Sequence, residues 1–124
     1  MQGNFKMDYL SDERVKWTKE GATISLMEPV KYADDKYDKV FIKHMNGKVY
    51  RKYPDNLSPD DLISMAADLS TEPDGLFDVL EPDDLGAVIG VVDSFLLRIQ
   101  TISLKYKQAS FREYQKLTLE LSKT

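Results

Sequence analysis

Three pairs of adjacent carboxylates, Asp34-Asp35, Asp60-Asp61 and Asp83-Asp84, are the residues of this chain that come nearest to catalytic chemistry. Two carboxyl groups held close in a pocket can divide the work of acid and base, or share a divalent metal. The positions of two pairs argue for a plainer role. Asp60-Asp61 follows Ser58-Pro59 and Asp83-Asp84 follows Glu81-Pro82. In each, a proline suited to the first helical position precedes acids that would face the positive end of a helix dipole. Capping accounts for both pairs, and Asp34-Asp35 reads as a solvated loop. The lone histidine, His44, has no Ser, Cys or Asp partner at motif spacing, so it reads as a surface or packing residue. The chain has no cysteine, which excludes disulfides and thiolate metal sites. No glycine loop suited to phosphate is present either. The expectation is a protein that is not an enzyme, with no catalytic residue, no metal ligand and no cofactor.

What remains is binding, and charge is distributed for it. Between Lys52 and Arg98 there is no Lys or Arg, while eleven acids fall there: Asp55, Asp60, Asp61, Asp68, Glu72, Asp74, Asp78, Glu81, Asp83, Asp84 and Asp93. Residues 31–52 carry seven bases against three acids, and residues 98–124 carry six bases against Glu113 and Glu120. Such blocks face either a partner or one another. The basic stretch with Lys39, Lys43, Lys48, Arg51 and Lys52, interleaved with Phe41, Tyr50 and Tyr53, is the candidate nucleic-acid surface. The neighbouring acidic block would repel a polyanion, and lysines on a strand edge also serve to prevent edge pairing. Nucleic acid is therefore not the expected partner, and a small regulator that binds it through this basic hairpin stands as the alternative reading. A third reading takes the acidic stretch as an imitation of a nucleic acid backbone that blocks another protein; it requires the eleven acids to line one continuous surface.

The elements that must position these groups can be read from pattern. A length of 124 residues, 42% hydrophobic and 31% charged with net charge −4, suits one globular domain. Residues 1–21 form an N-terminal extension, residues 22–53 a sheet part and residues 58–124 a helical part. Ala22-Thr23-Ile24-Ser25-Leu26 alternates as a half-buried strand does, and Pro29 is expected to end it. Residues 30–37 read as a loop. Strand-like runs on either side of Asn46-Gly47 predict a hairpin with a type I′ turn there. Helix starts follow at Ser58-Pro59 and Glu81-Pro82, with a short helix around 76–80 between them. From Leu85, apolar residues recur at steps of three and four through Val88, Val92, Phe95 and Ile99. Ser110-Phe111-Arg112-Glu113 has the form of a capping box that opens a terminal helix over 110–122, although no Gly or Pro separates it from the preceding helix. Gly86-x-x-x-Gly90 reads as core packing. The fold class is α+β: a small N-terminal antiparallel sheet, then a bundle of three to four helices.

The apolar face of the terminal helix (Phe111, Tyr114, Leu117 and Leu121) must be covered either by the chain's own domain or by a partner. Together with Val88, Val92 and Phe95 it is the candidate partner-binding set. No apolar run approaches the roughly 18–20 residues that span a bilayer. Met1–Lys6 lacks the apolar core of a signal peptide. The expectation is a cytoplasmic protein without a membrane partner.

The order of these segments resembles the tail assembly chaperones of long-tailed bacteriophages, in particular the small Mu-like and P2-like forms. The likeness runs from about Ile24 to Leu97. It rests on Leu26-Met27-Glu28-Pro29-Val30, then Val40-Phe41-Ile42, then the Pro54–Leu62 approach ending in Pro-Asp-Asp-Leu. It closes with Leu69–Pro73 and with Leu80-Glu81-Pro82-Asp83-Asp84-Leu85 leading to Val88, Val92 and Phe95. The resemblance implies a protein that coats the helical, aggregation-prone tape measure protein during tail morphogenesis and helps recruit tail tube subunits. It would act in the host cytoplasm, with self-association a further expectation. Residues 1–20 and the segment after Arg98 have no counterpart in it.

Overall fold

The computed structural model describes residues 12–123. A 3₁₀ turn at Asp12–Arg14 leads into β1 (Val15–Trp17), β2 (Gly21–Tyr32) and β3 (Asp35–Lys43), an antiparallel sheet in the order β1-β2-β3. A one-turn helix α1 (Gly47–Tyr50), helix α2 (Pro59–Leu69), a 3₁₀ segment (Asp74–Val79) and helix α3 (Pro82–Ser122) follow. The class is α+β as expected. The sheet starts earlier than residue 22, because β1 lies within the N-terminal extension; the part of that extension before residue 12 is outside the described residues.

The hairpin is not at Asn46-Gly47. It joins β2 to β3 through Ala33-Asp34, whose φ angles of 50° and 70° meet the demand of a type I′ turn for positive φ at both central residues. Residues 30–32 and 35–37 are thus paired strand, with Val30 opposite Tyr37 and Tyr32 opposite Asp35. Asn46 has another use for its side chain. Its Oδ1 accepts from the Val49 backbone N–H at 3.0 Å, so it caps α1 and leaves Gly47–Tyr50 helical where strand was expected. Nor does Pro29 end β2. The register shifts between Ser25 and Val30, and this bulge absorbs the proline.

Alternation along the strands sends Ala22, Ile24, Leu26, Val40 and Ile42 into the core. Gly21 is obligatory at the start of β2. Its φ is 156°, and a Cβ there would stand 2.1 Å from the Ile42 carbonyl oxygen. Helix α2 is capped as its sequence demands. Asp61 N–H donates to Ser58 Oγ at 3.2 Å, and Ser58 N–H donates back to Asp61 Oδ2 at 3.0 Å. The helix buries Met65, Ala66 and Leu69. The 3₁₀ segment adds Leu76 and Phe77, and the start of α3 adds Val88, Val91 and Val92.

Helix α3 contains 41 residues without a break. The Ser110 capping box is therefore not used as a start signal, because the helix already runs through it. The chain forms two compact units, one ending at Asp93 and the other comprising Ser94–Thr124. By length and composition α3 also satisfies the criterion for a membrane span, with a mean hydropathy of 1.6 over 18 residues, of which 28% are buried. Asp93 and Arg98 interrupt that region, which is why no continuous apolar run marks it.

Candidate protein-binding surface

Asp84 is where expectation and structure differ most. It is fully buried in the first unit and does not act as a surface cap. Its Oδ1 accepts from the Arg14 guanidinium in a buried ion pair and from Met27 N–H at 2.7 Å. Its Oδ2 accepts from Glu28 N–H at 3.1 Å. Met27 and Glu28 lie in the bulge of β2, where the ladder to β3 is interrupted. One carboxylate thus satisfies backbone donors that the sheet leaves over and fixes the first turn of α3 to the sheet. Arg14 is held as well by donation from Nε to Ser25 O at 3.2 Å. The sequence contains a signal for this: Asp84 falls in line with Val88, Val91 and Phe95, so a charge sits on the apolar stripe.

Other acids are similarly committed. Asp61 closes its capping box. Glu72 accepts from Phe41 N–H on the outer edge of β3 at 2.8 Å, beside the bridge between Ile42 and Ser70. Asp68 accepts from Tyr53 Oη at 2.5 Å and Lys52 Nζ at 2.9 Å. Partial burial, added to hydrogen bonding and repulsion from the Asp68 carboxylate, pushes the Tyr53 phenol well above its ordinary range. At Asp68 desolvation acts upward, but the hydrogen bonds from Tyr53 and Lys52 and the Lys52 charge together hold the carboxyl below its usual value. Four of the eleven acids are thus occupied in separate structural contacts.

The basic candidates do not share a hairpin. Lys39 and Lys43 lie on β3, Lys48 on α1, and Arg51 and Lys52 in the turn after it. Lys48, Arg51 and Lys52 line a shallow open depression with Gly47, and Lys52 is also paired with Asp68. His44 belongs to the sheet's end. Its Nε2 lies 3.0 Å from Thr18 O, and its backbone N–H donates to Glu20 O at 3.1 Å. Among the described residues, no three His, Asp or Glu side chains converge as metal ligands.

The candidate partner-binding set divides in two. Val88 and Val92 are 0% exposed and Phe95 is 4% exposed, so these three belong to the protein's own core. Phe111, Tyr114, Leu117 and Leu121 are exposed, as are Leu97, Ile102, Leu104, Tyr106 and Leu119. Nine of the thirteen large hydrophobic side chains exposed in the described residues thus lie on α3 beyond Leu96. Isolated exposed leucines are ordinary, but a run over seven turns of one helix is a docking surface or a liability. Gly86 and Gly90 do not serve core packing, since a Cβ at either would meet nothing within 4 Å.

The arm, residues 97–122 of α3, holds its helix by local means. It contains neither Gly nor Pro, Glu113 pairs with Lys116 at 3.7 Å, and the Thr118 and Ser122 hydroxyls donate to Gln115 O and Leu119 O. No family model, curated protein or solved structure matches the chain.

Proposed function

We propose that this protein is a tail assembly chaperone of a long-tailed phage, which binds the tape measure protein in the host cytoplasm and helps recruit tail tube subunits. The observation that carries this reading is the run of exposed apolar side chains from Leu97 to Leu121 on an unbroken helix whose earlier turns bury Val88, Val91, Val92, Phe95 and Leu96. A helical client with apolar faces of its own is the natural complement of such a surface. Each aliphatic or aromatic side chain covered contributes roughly 1.5–3 kcal/mol relative to exposure. The order of strands, capped helices and the Pro-Asp-Asp-Leu starts supports the same assignment. Binding alone performs this function, and no bond-making step is involved.

Co-expression with a fragment of the tape measure protein encoded beside it, followed by pull-down, tests the proposal. Capture by the wild-type chain and loss of capture on combined Phe111→Ser, Leu117→Ser and Leu121→Ser substitution is the expected result. Failure of the wild-type chain to retain the fragment at micromolar concentration would refute it.

A further inference from the structure

The arm of α3 carries more than grease. Its stripe of half-buried Leu85 and buried Val88, Val92 and Phe95 continues at alternating steps of four and three through Ile99, Ile102, Tyr106 and Ala109. This is a strict 3.5-residue seam, the a and d positions of a coiled coil. Ile102 and Tyr106 on the continuation are 42% and 65% exposed, so the seam emerges from the core unfilled. In that frame the g positions beside the seam are Arg98, Lys105 and Arg112, all bases. The e positions on its other flank are Ser103 and Ser110, with Leu117 beyond. All three bases are exposed, and no ion pair among the described residues engages any of them.

Resting on the reading of this arm as a protein-binding surface, we infer that its partner is an acidic helix, one with apolar a and d residues and Asp or Glu at the flanking positions that meet Arg98, Lys105 and Arg112. Charges at e and g select partner and orientation in paired helices. A second copy of this chain is the wrong partner. Paired in parallel, the bases would meet Ser103, Ser110 and Leu117; paired antiparallel, they would meet one another. A nucleic acid would neutralise the bases but leave Ile102 and Tyr106 uncovered. The seam also has a defined end: the next positions in the frame are Glu113, Lys116 and Glu120.

The test uses the full chain and two synthetic three-heptad helical peptides, identical at their leucine a and d positions, with Glu in one and Lys in the other at every e and g. Fluorescence anisotropy is expected to show the Glu peptide binding at least about tenfold tighter than the Lys peptide, with affinity falling as salt is raised. In the Arg98→Glu, Lys105→Glu, Arg112→Glu variant, whose changes are all at exposed positions, the preference is expected to invert. A melting curve confirms that its folded core is intact, and a Gln version at the same three positions should bind both peptides alike. Equal binding of both peptides, an unchanged preference in the variant, or self-association that the Glu peptide does not disturb would overturn the inference. So would binding to phosphatidylcholine vesicles containing phosphatidylserine with neither peptide bound. If the tape measure fragment is still captured after charge reversal, the chaperone reading stands and only the acidic-partner inference falls.

Discussion

Two stretches of α3 are both rich in large apolar side chains and meet opposite fates. Over residues 82–96, Val88, Val91, Val92, Phe95 and Leu96 are buried, and the one charge on their stripe, Asp84, is buried and paired with Arg14. Over residues 97–122, side chains of equal greasiness stay exposed, and their neighbouring charges stay in water. What differs is whether the polar groups have been built in. In the first stretch a carboxylate is desolvated only because a guanidinium and two backbone N–H groups meet it. The second stretch has no such commitment, so it can exchange partners without breaking a core. The first stretch serves stability, and the second is the one proposed for binding.

The largest effect that would sharpen this contrast comes from Asp84→Ala. It leaves Arg14 buried without its partner and strips acceptors from Met27 and Glu28 N–H. A loss of about 3–5 kcal/mol is expected in urea denaturation. Replacing the pair together, Arg14→Met with Asp84→Leu, is expected to restore much of that loss, because a buried ion pair is costly to break and cheap to exchange for apolar contact. A loss under about 1 kcal/mol from the single substitution would break the comparison.

A smaller effect lies in the pH dependence of the Tyr53–Asp68–Lys52 contact. The folded carboxyl of Asp68 titrates below its ordinary value, so its contribution is present above about pH 4 and is lost as pH falls through the lowered value. The folded phenol of Tyr53 titrates above its ordinary value, so its contribution is present below about pH 10 and fades as pH rises beyond it. Lys52 is 59% exposed at its side chain, and solvent screening keeps the contribution to about 1 kcal/mol or less. Denaturation at pH 7 and pH 10.5 should show Tyr53→Phe removing the alkaline part of the loss.

The smallest effect on stability belongs to the arm. Leu104→Ser with Leu117→Ser is expected to move the denaturation midpoint of the first unit by less than about 0.5 kcal/mol, because neither side chain is buried. A drop comparable to that of a core truncation would show that these residues are covered within the chain, and would erase the distinction between the two stretches.

Much of the fold was legible because local chemistry and tertiary structure agree. Ser58-Pro59-Asp60-Asp61 starts α2 as its residues demand, and alternation over 22–26 places Ile24 inward. The misreadings share a cause: one residue type has two good local uses. Asn46 can turn a hairpin or cap a helix, and its side chain took the cap. Ala33-Asp34 lacks the expected Asn or Gly, so the turn it makes is held by pairing on both sides and not announced by composition. The Ser110 box is a competent helix start that a running helix overrides. For the proposed binding surface, periodicity marks Phe111, Tyr114, Leu117 and Leu121 as one apolar face, but it cannot separate a face that is covered from one that is not. That separation depends on which part of α3 the rest of the chain covers, and no local pattern encodes it. Val88, Val92 and Phe95 were grouped with the arm for this reason.

Hydrogen exchange of the full chain, with and without the tape measure fragment encoded beside it, tests the central claim most directly. The account predicts that protection rises in amides 97–122 on adding the fragment and stays unchanged in β2 and β3. Protection gained in the sheet and none along the arm would contradict it.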